Sequence, residues 1–215
     1  AVINARYPGG LWDAIVIALM ALCLTAGCST PPLKPLAEPV MSSVAIEPTT
    51  IADQAYVDYP LEGPAEEAGG PTMAVWIAQY RNEERQREET LRQLVRSAAP
   101  DFPQGFEPAL ARLLKQYNVA GAVVEKDPAY RLQTHLTIVG LDRGHVYLGA
   151  TLQVTSTADG KRWRIFAQHR GQPRHDLEQW PGYPELFAAQ LREGVEAIAR
   201  TFTARLQQLD QRPPG

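Results

Sequence analysis

The chain has 215 residues, 45% of them apolar, with a formal charge of −3 from 21 Lys and Arg against 24 Asp and Glu. That apolar share excludes a disordered chain, and the lack of a positive excess argues against a nucleic-acid partner held by phosphate contacts. With 2 cysteines there is no disulfide framework, so the folded part must stand on its own core.

The first element is the apolar run Ala14 to Leu24, which falls short of the roughly 20 apolar residues that span a bilayer. It leads into Leu24-Thr25-Ala26-Gly27-Cys28. An apolar segment can engage an export machinery, small residues can enter a peptidase groove, and a thiol can accept a lipid. This stretch resembles the processing site of bacterial lipoprotein precursors. The resemblance implies a signal peptide over 1–27, lipid joined to Cys28 as the only covalent group, and membrane attachment through it. Because Ser29 and not Asp follows the cysteine, it also implies sorting to the outer membrane, on the periplasmic side. Cleavage there discards Cys23, so no disulfide can form.

Residues 28–72 carry Pro31, Pro32, Pro35, Pro39, Pro48, Pro60, Pro64 and Pro71, which predict a tether without long helices or central strands. Its acids (Glu38, Glu47, Asp53, Asp58, Glu62, Glu66, Glu67) face a single base, Lys34, whereas residues 73–215 hold more bases than acids. The chain thus reads as an acidic tether followed by a mildly basic domain over 73–210 and a disordered tail over 211–215. Within the tether, Ser43-Val44-Ala45-Ile46 could return as an edge strand that Pro48 would end.

A helix is predicted from Met73 to Ala98, with Leu91, Leu94, Val95 and Ala98 at helical spacing and Glu83/Arg87 and Glu88/Arg92 as i,i+4 pairs. The charge run Arg81 to Glu89 reads as its solvated face. After Pro100-Asp101-Phe102-Pro103, a second helix carries Phe106, Leu110, Leu113, Leu114 and Tyr117 on one stripe and ends near Asn118.

Four antiparallel strands follow. The turn Asp142-Arg143-Gly144 predicts Gly140 opposite Val146, Ile138 opposite Leu148, Leu136 opposite Ala150 and Leu132 opposite Val154. The loop Thr157 to Gly160 sets Trp163 against Val154, Ile165 against Leu152 and Ala167 against Ala150. Upstream, the loop Lys126 to Ala129 sets Val123 against Leu132 and Val119 against Leu136. All these apolar residues share one face, as a meander requires. A last helix from Pro184 to Leu209 carries Phe187, Leu191, Val195, Ile198, Phe202, Leu206 and Leu209 in one stripe and should cover that face. The fold class is therefore α+β: a four-stranded antiparallel meander with helices on one face, order α-α-β-β-β-β-α, with a possible extra N-terminal edge strand.

The opposite face collects Arg131, Gln133, His135 and Thr137, then Tyr147, Thr151 and Gln153, then Arg162, Arg164, Phe166, Gln168 and Arg170. His135 faces Thr151, which faces Phe166. Arg131, His135, Tyr147, Thr151, Arg164, Phe166 and Arg170 make this the candidate binding face, although an ordinary wet sheet face has the same composition. No other chemistry stands out. His135, His145, His169 and His175 lack metal-ligand spacing, His175-Asp176 has no activated Ser or Cys beside it, and no phosphate loop or G-x-S-x-G is present. Trp180-Pro181-Gly182-Tyr183 reads as a loop pinned to the core by its aromatics.

Residues 104–209, with the loop Asp159-Gly160-Lys161-Arg162-Trp163 and a long C-terminal helix, resemble small outer-membrane lipoproteins that assist envelope assembly. These include the lipopolysaccharide-assembly lipoprotein and the TolB N-terminal domain type; Val44 to Pro48 would match their first strand. The resemblance implies no catalytic residues. The expected role is a non-catalytic, lipid-anchored accessory or scaffold with an envelope protein as partner; the alternative is a module binding anionic glycan or lipid headgroups.

Overall fold

The computed structural model describes residues 33–59 and 73–209, and of residues 73–80 the backbone alone. Cys23, Cys28, the apolar run before them and the tail 211–215 lie outside the described residues. The elements are β1 (Val44–Ile51), β2 (Tyr56–Tyr59), α1 (Met73–Ala98), a 3-10 turn (Phe102–Gly105), α2 (Phe106–Gln116), β3 (Tyr130–Asp142), β4 (His145–Ser156), β5 (Arg162–Arg174), a second 3-10 turn (Trp180–Gly182) and α3 (Pro184–Leu206). Five strands form one mixed sheet in the order β1-β3-β4-β5, and β2 also pairs with β3.

The three helices follow from their apolar stripes. In α3, Phe187, Leu191, Val195, Ile198, Phe202 and Leu206 are all buried, and each such side chain contributes roughly 1.5–3 kcal/mol on leaving water. They meet Leu148, Ala150, Leu152, Val154 and Ala167 from the sheet. At Gly194 the approach is so close that a Cβ would sit 2.6 Å from Leu148 Cδ1. Helix α2 buries Phe106, Leu110, Leu113 and Leu114 and stops when Asn118 takes φ 51°, letting Val119 N–H donate to the Leu114 carbonyl.

Strands β3, β4 and β5 form the expected antiparallel run, with one refinement. The β3/β4 turn has two residues, Arg143 at φ 51° and Gly144 at φ 81°, as a tight hairpin of matching twist demands. Val139, not Ile138, therefore faces Leu148, and Leu141, not Gly140, faces Val146. A bulge at Thr137 then restores Leu136 opposite Ala150 and Leu132 opposite Val154, so the apolar face continues across the shift. The β4/β5 pairs Val154/Trp163, Leu152/Ile165 and Ala150/Ala167 are as the loop length predicts.

The fourth strand is where expectation and structure part. Val119 and Val123 do not face Leu136 and Leu132; β1 lies there, parallel to β3, pairing Ile46 with Leu132 and Ile51 with Leu136. The 119–124 segment lies along the outer side of β1 through parallel bridges Met41/Ala120 and Val44/Val123. The observed order is therefore β-β-α-α-β-β-β-α, and only three of the described strands form the antiparallel meander. Nor does Pro48 end β1. It falls in the register shift between Glu47 and Thr50, where its missing N–H costs no ladder bond, and Thr49 N–H turns to the Glu107 carboxylate of α2. Strand β2 continues the same edge, pairing Val57 with Gly140; a Cβ at Gly140 would lie 1.8 Å from the Val57 carbonyl oxygen, so only glycine admits β2. Of the stretch expected as a tether, the described residues 41–59 thus enter the fold, with Met41, Val44 and Ala55 fully buried. Turn-based register arguments reach only strands that are neighbours in sequence, and a parallel partner such as Thr50, 85 residues from His135, leaves no mark in them.

Candidate functional site

The helices cover one face of the sheet and leave the other to solvent, where alternation places the expected wet-face residues except Thr137, which sits in the β3 bulge with its Oγ1 buried. The register brings His135 opposite Thr151 and Thr151 opposite Phe166. Most of these side chains are tied to neighbours. Arg131 pairs with Glu47 of β1 at 3.3 Å, and Arg170 Nε pairs with Asp142 at 3.1 Å. His135 Nδ1 and Thr50 Oγ1 lie 2.6 Å apart, and Tyr147 Oη donates to Gln168 Oε1 at 2.6 Å. Partial burial, helped by nearby Tyr59 and Asp142, raises the Tyr147 phenol above its ordinary range. Arg164 carries no ion pair among the described residues, and Phe166 is 53% exposed. The candidate face therefore has two parts: one whose polar groups are paired, running from Arg131 and His135 to Tyr147, Gln168 and Arg170, and one at Arg162, Arg164 and Phe166 of β5 with no ion pair among the described residues.

Three groups that organise this face carry no mark in the strand pattern: Glu47, Thr50 and Asp142. Glu47 and Thr50 could not be assigned without knowing that β1 lies beside β3. The same holds on the helical side. Arg87 does not pair with Glu83; it reaches the Asp58 carboxylate of β2 at 2.6 Å and Glu178 at 3.7 Å. Arg92 lies 4.7 Å over the Tyr56 ring and donates to the Asp53 carbonyl. The Asp58 side chain is 3% exposed, and burial pushes its carboxyl above the ordinary carboxylate value against the opposing pull of Arg87.

The histidines serve separate local roles. His145 Nδ1 lies 3.0 Å from the Gly171 carbonyl. His175 stacks on Tyr183 at 4.5 Å and meets Trp180 edge-on. His169 has a buried Nε2 without a partner, and burial holds its imidazole below the usual value while Glu193 pulls the other way. Trp180 is wholly buried, donates from Nε1 to the Gly144 carbonyl at 3.1 Å and packs on Phe187, so the 180–183 loop is pinned as its aromatics predict. Among the described residues no group of three or more His, Cys, Asp or Glu is placed to hold a metal ion, and no helix is long and apolar enough to cross a membrane. Cys28 lies outside the described residues.

Among the surface hollows of the described residues, one lies beside Arg87, Leu177 and Glu178, and two others bear on the sheet and its helices. One, of about 440 Å³, lies between the end of α1, α2 and α3, floored by Ala98, Ala99, Phe102, Ala109 and Val195 with Arg192 at its edge. The other, of about 260 Å³, flanks β5 beneath Trp163, Ile165 and Leu209.

No family model matches the chain, and no curated protein matches it in sequence. Among solved structures, the chain is similar to the PelC dodecamer of Paraburkholderia phytofirmans, at 10% identity and TM-score 0.32 over 77% of this chain and 93% of that one. It is similar to the hypothetical protein CT253 of Chlamydia trachomatis at 7% identity and TM-score 0.42, over 77% and 96% of the two chains. A candidate lipoprotein of Caulobacter crescentus is similar at 17% identity and TM-score 0.30, over 53% and 87%. These distant likenesses carry no residue or activity over to this chain.

Proposed function

We propose that the chain is a lipid-anchored accessory protein of the bacterial envelope, without catalytic activity, that docks an envelope protein through the uncovered side of its sheet. The observation that carries this reading is the apolar run ending in Leu24-Thr25-Ala26-Gly27-Cys28, whose cysteine would become the lipidated N-terminus. Attachment to the periplasmic side of the outer membrane follows from Ser29 after that cysteine. The described body supports the reading through a contiguous apolar core between sheet and helices and a sheet face that no described helix covers.

Mass spectrometry of the processed N-terminus tests the anchor: a diacyl- or triacylglyceryl mass on Cys28 is expected, and Cys28→Ser should leave the chain unprocessed and without acyl mass. Crosslinking in intact envelopes tests the role, with a reproducible protein partner expected; a wild type that recovers none argues against it. A second reading, a module for anionic glycan or lipid headgroups, draws on Arg162 and Arg164, exposed and without an ion pair among the described residues. The pairing of Arg131 with Glu47 and of Arg170 with Asp142 removes two of the cations on which that reading would rely.

A further inference from the structure

Strand β5 is the far edge of the sheet, and no described strand pairs with its outer side. The Ser156 N–H donates to the Lys161 carbonyl at 2.9 Å, which makes these two a hydrogen-bonded pair. In an antiparallel ladder such pairs recur at every second residue, so the odd-numbered residues after Lys161 bond β4. The N–H and C=O groups of Arg162, Arg164, Phe166 and Gln168 consequently face outward. Their side chains are exposed on the wet face, and Arg162 and Arg164 have no ion pair among the described residues. Beyond Arg170 the register jumps from Tyr147/Arg170 to His145/Arg174, and this bulge, with Pro173 inside it, closes the regular edge. On the core side of the same edge, half-buried Trp163 and Ile165 join Leu209 in the hollow of about 260 Å³, with Arg205 and Gln208 at its rim.

An edge protected only against aggregation would need its charges and nothing more. This one adds the exposed Phe166 and a shelf on which Trp163, Ile165 and Leu209 offer apolar surface between the polar groups of Arg164, Arg205 and Gln208. We infer that the open edge of β5 takes up an extended segment of a partner protein in which carboxylates alternate with apolar side chains. The inference rests on the accessory role proposed above. The added strand would bond the outward amides of residues 162–168, as in other cases of strand addition. One set of its side chains would stand beside Arg162 and Arg164, at the roughly 5.5 Å Cα spacing of a hydrogen-bonded pair, and the other would settle on Trp163, Ile165 and Leu209. A second copy of β5 fits poorly. Pairing Phe166 with its copy sets Arg162 against Arg170, and pairing Arg164 with its copy sets two guanidiniums face to face.

The test uses the full chain in detergent and a nine-residue synthetic peptide alternating glutamate with valine, against one alternating lysine with valine. The glutamate peptide should bind and slow hydrogen exchange at Arg164, Phe166 and Gln168, and the lysine peptide should bind at least about tenfold more weakly. Gln168→Pro, which removes an N–H from the open side only, should abolish binding; Arg164→Glu, a surface change, should weaken it about tenfold. Equal affinity for both peptides, or protection away from β5, overturns the inference. So does self-association of the full chain that Gln168→Pro abolishes, which gives the edge to a second copy. Retention on anionic polysaccharide that Arg164→Glu abolishes, without peptide binding, likewise overturns it in favour of a glycan site. A crosslinked envelope partner recovered equally with both variants sinks the edge while leaving the accessory role intact; peptide binding with no envelope partner does the reverse.

Discussion

The two edges of the sheet are built by opposite means. On the β3 side, the chain brings back β1 and β2 from the acidic N-terminal stretch, and β1 is itself flanked by residues 119–124. On the β5 side, nothing in the described chain lies alongside the strand. The difference also runs through the charges. Glu47 and Asp58 of the first edge neutralise Arg131 and Arg87, whereas Arg162 and Arg164 of the second meet no carboxylate among the described residues. The charge asymmetry between residues 29–72 and the rest of the chain is therefore, in part, complementarity within one folded body. An edge that the chain closes for itself is a stability element; an edge left basic and open is free for something else.

Breaking the closed edge should give the largest effect. Gly140→Ala puts a Cβ into the Val57 carbonyl and should displace β2, with a loss of about 2–4 kcal/mol in chemical denaturation. A loss below about 1 kcal/mol would mean that β2 contributes little. Next, Arg87→Ala leaves the Asp58 carboxylate buried without its partner and should cost about 2–3 kcal/mol. Asp58→Asn should cost distinctly less, since burial already disfavours its charged form; equal losses for the two variants would contradict this account.

At the seam between β5 and α3, burial lowers the pKa of His169 relative to its unfolded value of 6.5. The folded state then binds fewer protons than the unfolded state below that value, so the stability is fully present above about pH 6.5 and declines as pH falls from there toward the folded pKa. His169→Gln should flatten that decline, and an unchanged pH profile would remove His169 as its source. The smallest effect is expected at the open edge: Arg164→Glu should change stability by no more than about 0.5 kcal/mol, as for other exposed sites without a special contact. A larger change would make Arg164 a structural residue and blur the contrast between the edges.

The parts legible in the sequence are those governed by local rules. The stripes of α1, α2 and α3 appear at helical spacing, and the turn at Gly160 sets the β4/β5 register within a few residues. At Gly144 the same reasoning is out by one pair, because a two-residue turn and the bulge at Thr137 offset one another. The apolar stretch Ser43 to Ile46 marks the start of β1, whereas its parallel place beside β3, its run past Pro48 and the whole of β2 leave no such mark: prolines signal the lack of helix but do not say whether the chain is free or paired at an edge. The wet face shares this division. Its membership follows from alternation, while the partners of Arg131 and His135 depend on a strand from a distant part of the chain.

Strands β3 and β4 each bond neighbours on both flanks along nearly their whole length: β3 lies between β1 with β2 and β4, and β4 lies between β3 and β5. Their amides can reach water only when two independent ladders separate, whereas β5 needs to part from one. Native-state opening should accordingly travel inward from β5, with the β3/β4 hairpin as the last segment to surrender its protons to solvent.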